Sequence, residues 1–450
     1  MAFSCAECGH RTIKWYGRCP NCGAWDSLSE SVPESERGGG DAKAPWIGEP
    51  VRSLDQIDLA TVARRSSGLP EFDRVFGGGL IPGGVVLFGG EPGVGKSTLL
   101  LQVAQSLAAH DGRVLYVSGE ESEAQVKLRA GRLGIDGTGL FLLAEQSFPR
   151  IEAAVEEVDP RALIVDSIQT IRAADPEGGS GSLRQLRAAS AALVRLAKSR
   201  SLVTFLVGHI TKGGAFAGPK TIEHLVDVAV YLEGGGTDDV RVLRSVKNRF
   251  GPTNEAALFR MTTGGLVEVD DPSSFFLETD RDETRPGSIV VPILEGSRSI
   301  LIELQALVSP TGGYGVPQRR CTGVDVNRVL LLLAVIEKRL AVHVGGADVY
   351  LSVAGGLDVR ERAADLGIVT AIVSSLRNRG VGGRATVVGE VGLSGEVRPV
   401  RRVGDRIDEA AKMGYERILV PAAGTVPKRD RIEVVPVASI DEAIVALELG

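Results

Sequence analysis

Gly90-Glu91-Pro92-Gly93-Val94-Gly95-Lys96-Ser97, followed by Thr98, matches the pattern G-x-x-x-x-G-K-[ST] in full, the signature of a loop that binds the phosphates of a nucleotide. Glycines let successive backbone N–H groups face one anion, and a helix starting at the loop adds its positive end to the same spot. Lys96 is expected to reach the β- and γ-phosphates of ATP, and Ser97 to hold Mg²⁺. Hydrolysis also needs carboxylates. Ser118-Gly119-Glu120-Glu121 follows the apolar run 114–117, and Asp166 follows the apolar run 163–165. Glu120, with Glu121 as the alternative, is expected to orient and deprotonate the attacking water. Asp166 is expected to hold the water shell of the Mg²⁺, although an aspartate after a strand also serves as a plain helix cap. His209 and Thr211, in Gly208-His209-Ile210-Thr211-Lys212 after the run 202–207, are placed to sense the γ-phosphate; for His209 a structural hydrogen bond is the plainer role.

Two further clusters carry chemistry. Lys247-Asn248-Arg249-Phe250-Gly251 places Lys247 and Arg249 one residue apart on an extended segment, hence on the same side. Both are expected to be catalytic by reaching the γ-phosphate of a neighbouring subunit, where such an arginine is worth roughly 10³ to 10⁵ in rate; solvated charges on an edge strand are the alternative. Cys5-x-x-Cys8 and Cys19-x-x-Cys22 each precede a glycine, Gly9 and Gly23. Duplicated pairs in a reducing compartment favour tetrahedral Zn²⁺ over disulfides or a redox role. A stretch so short has no core of its own, so metal binding, worth about 10–16 kcal/mol in isolated fingers, must hold it together. Cys321 stands alone and is expected to be inert.

These residues need a scaffold. Apolar runs at 85–88, 114–117, 141–143, 163–165 and 202–207 alternate with helical patterns, which predicts an α/β fold with a mostly parallel, doubly wound sheet. Ligand chemistry in such sheets sits at the carboxyl ends of the strands, where Glu120, Asp166 and His209 fall. Two loops leave these ends, at 172–182 and 212–221; the second carries lysines and Phe216, a combination suited to gripping single-stranded nucleic acid.

At 450 residues, 43% hydrophobic and 24% charged, the chain exceeds one ordinary core. Its longest unbroken apolar run, 329–336, is too short to span a bilayer, and the N-terminus lacks the pattern of a secretion signal. A cytoplasmic protein without membrane contact is expected. A net charge of −6 confines any nucleic-acid contact to loops or a channel. A polar, Gly-rich stretch beyond residue 29 reads as a tether, and an acidic connector near 269–283 marks a second boundary. Strands are expected near 288–294 and 300–307, with helices at 327–340, 362–376 and from 440.

In their order, the four-cysteine knuckle, the phosphate loop, the Lys247–Gly251 segment and the C-terminal region resemble the RadA/Sms family of bacterial DNA-repair proteins. The resemblance covers nearly the whole chain and implies a zinc finger at 1–30, a flexible linker at 31–55, a RecA-like ATPase domain at 56–270, a linker at 271–285 and a Lon protease-like domain at 286–450. It implies a DNA-dependent ATPase or helicase of homologous recombination, a ring, by analogy hexameric, that promotes branch migration on single-stranded and branched DNA with the RecA recombinase. In the Lon-like region Asp365 aligns with the serine nucleophile of Lon proteases and Gly404 with its lysine, so the activated nucleophile is missing and no peptidase activity is expected. An ATP-dependent protease, or a clock-type or signalling ATPase that binds no DNA, are the rival readings. Arg377, Arg379, Arg384, Arg398, Arg401, Arg402 and Arg406 are candidates for a DNA-facing surface or for subunit salt bridges.

Overall fold

The computed structural model describes residues 2–5, 11–12, 15–25, 28–31, 53, 63–173, 182–209, 221–234, 239–277, 285–312, 316–382, 384–424, 427 and 429–450. The chain divides into two compact units, Met1–Ile57 and Asp58–Gly450. In the first, β1 (Ala2–Cys5) pairs antiparallel with β2 (Arg11–Thr12) and β3 (Leu28–Ser31). A tight turn places the Gly23 N–H on the Cys19 carbonyl at 2.9 Å, with Gly23 in the left-handed region at φ 75°. Cys19 is buried and Cys22 exposed. Cys8 and the side chain of Cys5 lie outside the described residues, so the complete four-thiolate set is not seen here.

The second unit begins with α1 (Pro70–Val75) and then alternates strand and helix: β4 (Val85–Gly90), α2 (Lys96–Asp111), β5 (Val114–Ser118), α3 (Glu123–Arg132), β6 (Leu140–Ala144), α4 (Phe148–Val158), β7 (Ala162–Asp166), α5 (Leu183–Ser199) and β8 (Val203–His209). After α6 (Thr221–Leu225) come β9 (Val228–Glu233), β10 (Val240–Asn248), β11 (Ala256–Thr262) and β12 (Gly265–Glu268). All nine strands form one sheet in the order β12-β11-β10-β9-β4-β8-β7-β5-β6. The half from β9 to β6 is parallel, and β10, β11 and β12 join antiparallel. Every residue of β4 and β5 is buried, as expected where helices cover both faces. Alternation along β4 sends Val86 and Phe88 toward Leu99, Leu100 and Val103 of α2. Val85 and Leu87 face Ile151 of α4 and Leu193 of α5 on the other side.

After α7 (Pro272–Phe276) a second sheet of seven strands follows, built from β13 (Ser288–Glu295), β14 (Arg298–Pro310), β15 (Arg319–Thr322), β16 (Ala347–Val353), β17 (Ala385–Val387), β20 (Arg417–Pro421) and β21 (Glu433–Val437), with the small hairpin of β18 (Glu390–Val391) and β19 (Val397–Arg398) beside it. Helices α8 (Val326–Arg339), α9 (Asp365–Arg377), α10 (Val403–Lys412) and α11 (Ile440–Ala446) complete it. The helix expected from residue 362 opens with a 3-10 turn, Arg362–Ala364, so that Asp365 heads α9.

Asp365 is 1% exposed. Arg328 of α8 binds it through both carboxylate oxygens, with Nε to Oδ1 at 2.8 Å, and the Val391 N–H donates to Oδ2 at 3.2 Å. Burial pushes the Asp365 carboxyl above its ordinary range, against the pull of Arg328 and the amide. Removing one partner of such a pair strands a charge in the core. Arg328→Ala is therefore expected to cost about 3–5 kcal/mol, read as a lower urea unfolding free energy. Replacing both residues by leucine should recover most of that loss, and equal destabilisation by the single and double variants would contradict this account.

Candidate functional site

The phosphate loop links the carboxyl end of β4, the central strand, to the first turn of α2. Gly90, Gly93 and Gly95 have φ of 157°, 79° and 114°. A Cβ at Gly90 would lie 2.7 Å from the Leu232 carbonyl, so Gly90 is needed for space as well as backbone freedom, while Gly95 is needed for its φ of 114°. Glu91, Pro92 and Gly93 are exposed at the mouth, whereas Val94 is buried. The residue that caps α2 is Gly95, and no side chain accepts from the first-turn N–H groups; elsewhere Ser122, Ser182 and Asp325 cap α3, α5 and α8. The donors of α2 are thus left facing the loop, which suits a phosphate.

Lys96 is 4% exposed, and its Nζ donates to the carbonyls of Gly90 and Glu91, both at 2.9 Å. Burial lowers its pKa, while Asp166 and Glu120 pull it back up. Ser97 and Thr98, half-buried, lie in the same first turn. Asp166 ends β7 and accepts from Tyr116 Oη at 2.7 Å. Glu120 follows β5, and its Oε1 accepts from Ser167 Oγ at 2.5 Å and lies 3.5 Å from His209 Nε2. Glu121 instead pairs with Arg129 of α3, so its carboxylate is committed away from the loop. The parallel strands thereby bring Lys96, Glu120, Asp166 and His209 to one edge. A lysine, a hydroxyl in the helix's first turn and a carboxylate at the neighbouring strand end form a donor set that fits Mg²⁺ with a nucleoside triphosphate.

Lys247 and Arg249 are elsewhere. β10 is an internal strand that runs antiparallel to β9, and the Arg249 N–H donates to the Asp227 carbonyl while the Asp227 N–H donates to the Val85 carbonyl, so β10 ends at the amino end of β4, away from the phosphate loop. Lys247 Nζ donates to the Val226 carbonyl at 2.7 Å and to the Glu223 carbonyl at 2.5 Å, while Arg249, 56% exposed, approaches Asp227 at 3.4 Å. Burial, and then the neighbouring Arg249, lowers the Lys247 pKa.

Several partners at this site carried no signal of their own in the sequence. Tyr116 lies within the apolar run 114–117, where its hydroxyl, buried and in need of an acceptor, was the one clue. Ser167 follows Asp166 directly. Arg241 on β10 donates to the Val94 carbonyl of the phosphate loop at 3.0 Å, a contact 147 residues away that spacing does not reveal. Residues 174–181 and 210–220, which hold most of both loops expected to face nucleic acid and include Thr211 and Lys212, lie outside the described residues.

A phosphate loop at the carboxyl edge of a mostly parallel nine-stranded sheet defines a P-loop ATPase core of the RecA-like class, followed here by a second α/β domain. The comparisons agree: residues 51–215 match the AAA domain family, 3–30 the rubredoxin metal binding domain, and 347–448 the Lon protease (S16) C-terminal proteolytic domain. The DNA repair protein RadA of Halalkalibacterium halodurans is 45% identical over 449 residues, covering 98% of this chain and 97% of the relative. That of Bacillus subtilis is 45% identical over 450 residues with the same coverage, and that of Listeria monocytogenes 43% over 448. The chain belongs to the RadA family of DNA repair proteins. Among the described residues no helix is long and apolar enough to cross a membrane.

The left-handed backbone at Gly95 gives a direct test of the loop. Gly95→Ala, strained by its φ of 114°, stores about 1–3 kcal/mol. It is expected to weaken binding of a fluorescent ATP analogue roughly ten-fold or more, measured by equilibrium titration; unchanged affinity would mean the loop tolerates the methyl group.

Proposed function

We propose that this protein is a DNA-dependent ATPase of recombinational repair that works as a ring-shaped motor, hexameric by analogy with replicative helicases. The observation that carries the proposal is the convergence of Lys96, Glu120, Asp166 and His209 at the strand ends from which the segments 174–181 and 210–220 depart. Lys96 binds the β- and γ-phosphates, Glu120 orients the attacking water and takes its proton, and His209 senses the γ-phosphate. Ser97 and, through its water shell, Asp166 would hold Mg²⁺, which would supply charge neutralisation to the triphosphate. Changes at Glu120 and His209 pass into the two adjoining loops, which track single-stranded DNA and drive branch migration of recombination intermediates together with the RecA recombinase. Cys5, Cys8, Cys19 and Cys22 hold a structural Zn²⁺. The Lon-like domain builds the ring and offers surface to DNA; with Asp365 engaged by Arg328, no casein cleavage is expected.

Lys247 and Arg249 enter this scheme only across a subunit boundary, because their own phosphate loop lies at the other edge of the sheet. Arg249→Ala is then expected to retain nucleotide binding and lose most turnover. Mixing Arg249→Ala with Lys96→Ala, each nearly inactive, should restore part of the turnover by forming interfaces with one intact residue from each chain. Wild-type turnover by Arg249→Ala alone, or no recovery on mixing, would sink the shared site.

The motor itself is tested by ATP turnover with and without single-stranded DNA. Strong stimulation that vanishes in Lys96→Ala is expected. Turnover indifferent to DNA would favour an ATPase that serves a protein partner.

A further inference from the structure

The two carboxylates at the candidate site are held by hydroxyl groups from each other's strands. β5 and β7 are parallel neighbours, with Ser118 opposite Asp166. Tyr116 of β5, 1% exposed, donates to Asp166 Oδ2 of β7 at 2.7 Å. In return Ser167, just past β7 and fully buried, donates to Glu120 Oε1, just past β5, at 2.5 Å. Each strand thus carries one acid and the donor that fixes the other strand's acid.

The backbone around this exchange is equally constrained. The Gly119 N–H donates to the Asp166 carbonyl at 2.7 Å, and Gln146 Nε2, from beyond β6, donates to the Gly119 carbonyl at 2.7 Å. Thr170 Oγ1 closes the turn after β7 onto the Ser167 carbonyl at 2.8 Å. A Cβ at Gly119 would lie 1.9 Å from that same Thr170 Oγ1, so the approach of the turn to the peptide preceding Glu120 requires a residue without a side chain. Glu120 is half-exposed and has three rotatable bonds. Without a partner its carboxylate would sample many positions, most of them useless for directing a water.

We propose that Tyr116 and Ser167 are positioning residues for ATP hydrolysis, Tyr116 acting through Asp166 and Ser167 through Glu120. The inference rests on the site reading given above, in which Glu120 is the base and Asp166 serves the metal. Tyr116 fixes one oxygen of a planar carboxylate and thereby the direction of the other. Ser167 fixes the carboxylate that must meet the water. Neither hydroxyl needs to touch the nucleotide, and outer partners of this kind are typically worth roughly 10–100-fold in metal affinity or activity.

A double-mutant cycle on the full-length protein tests the proposal. Ser167→Ala is expected to lower kcat about 10- to 100-fold, with the KM for ATP within about two-fold of wild type. In a Glu120→Gln background, already slow, adding Ser167→Ala should change nothing further, because the residue it positions has lost its function. Tyr116→Phe keeps the buried ring and removes only the hydroxyl. It is expected to raise the Mg²⁺ concentration needed for half-maximal binding of a fluorescent ATP analogue about ten-fold, a readout independent of turnover. In an Asp166→Asn background that shift should disappear. Additive losses in either background would mean the hydroxyls act on stability alone and would overturn the proposal. So would wild-type kcat in Ser167→Ala together with an unchanged Mg²⁺ requirement in Tyr116→Phe, and in that case an inactive Glu120→Gln would leave the site reading standing. Wild-type turnover by Glu120→Gln would remove the site reading and the positioning role together.

Discussion

A parallel sheet covered on both faces has room for charge only at its two edges, and much of this molecule's ATPase half follows from that limit. β4, β5, β7 and β8 are buried along nearly their whole length. At the carboxyl edge stand Lys96, Glu120, Asp166 and His209. At the opposite edge the buried Asp227 accepts from Lys198 at 2.5 Å and from the Val85 N–H at 3.1 Å, with Arg249 nearby. Four residue steps along β4 separate Val86 from Gly90, about 13 Å of apolar sheet. The charges of one edge therefore act on the other only through the frame or through a second copy of the chain.

This limit also explains what could be read in the sequence. A phosphate loop is a local object, and eight consecutive residues encode it. Strands buried on both faces appear as unbroken apolar runs, and the residues just past each run fall at the carboxyl edge of the sheet, which is why Glu120, Asp166 and His209 could be singled out as candidates from position. The partners of those residues come from neighbouring strands whose order the sequence does not state. Tyr116 reads as one more apolar residue until β7 is known to lie beside β5. Glu120 and Glu121 are indistinguishable by pattern; they differ because Arg129 stands one helix away from the second. Alternation predicts one side for Lys247 and Arg249, but β10 carries a bulge between Ser245 and Lys247 and ends at Asn248, and the edge the two occupy depends on β10 running antiparallel to β9, which no spacing reveals.

In the second domain a buried carboxylate serves as a structural joint. A helix N-terminus favours an anion, and α9 begins with Asp365. The carboxylate is satisfied by Arg328 of α8 and by the Val391 amide of the hairpin, so one residue ties three elements. A group whose hydrogen-bonding capacity is engaged in the core, and which burial draws toward its neutral form, is a poor nucleophile. Sequence placed Asp365 at the position of interest; its partner lies 37 residues upstream and emerged only from the fold.

β10 joins these parts mechanically. Its Arg241 holds the Val94 carbonyl of the phosphate loop, its Arg244 binds the buried Glu295 of β13 with Nη2 to Oε2 at 3.1 Å, and its end carries Lys247. Alongside it Arg298 reaches Glu71 at 2.9 Å and Arg74 reaches Glu255 at 3.0 Å, so the junction between the two sheets is built largely from ion pairs with one buried or half-buried member. Such pairs hold geometry more than they add net stability. The phosphate loop and the second sheet thus both contact one strand, β10, which is hydrogen-bonded on both sides.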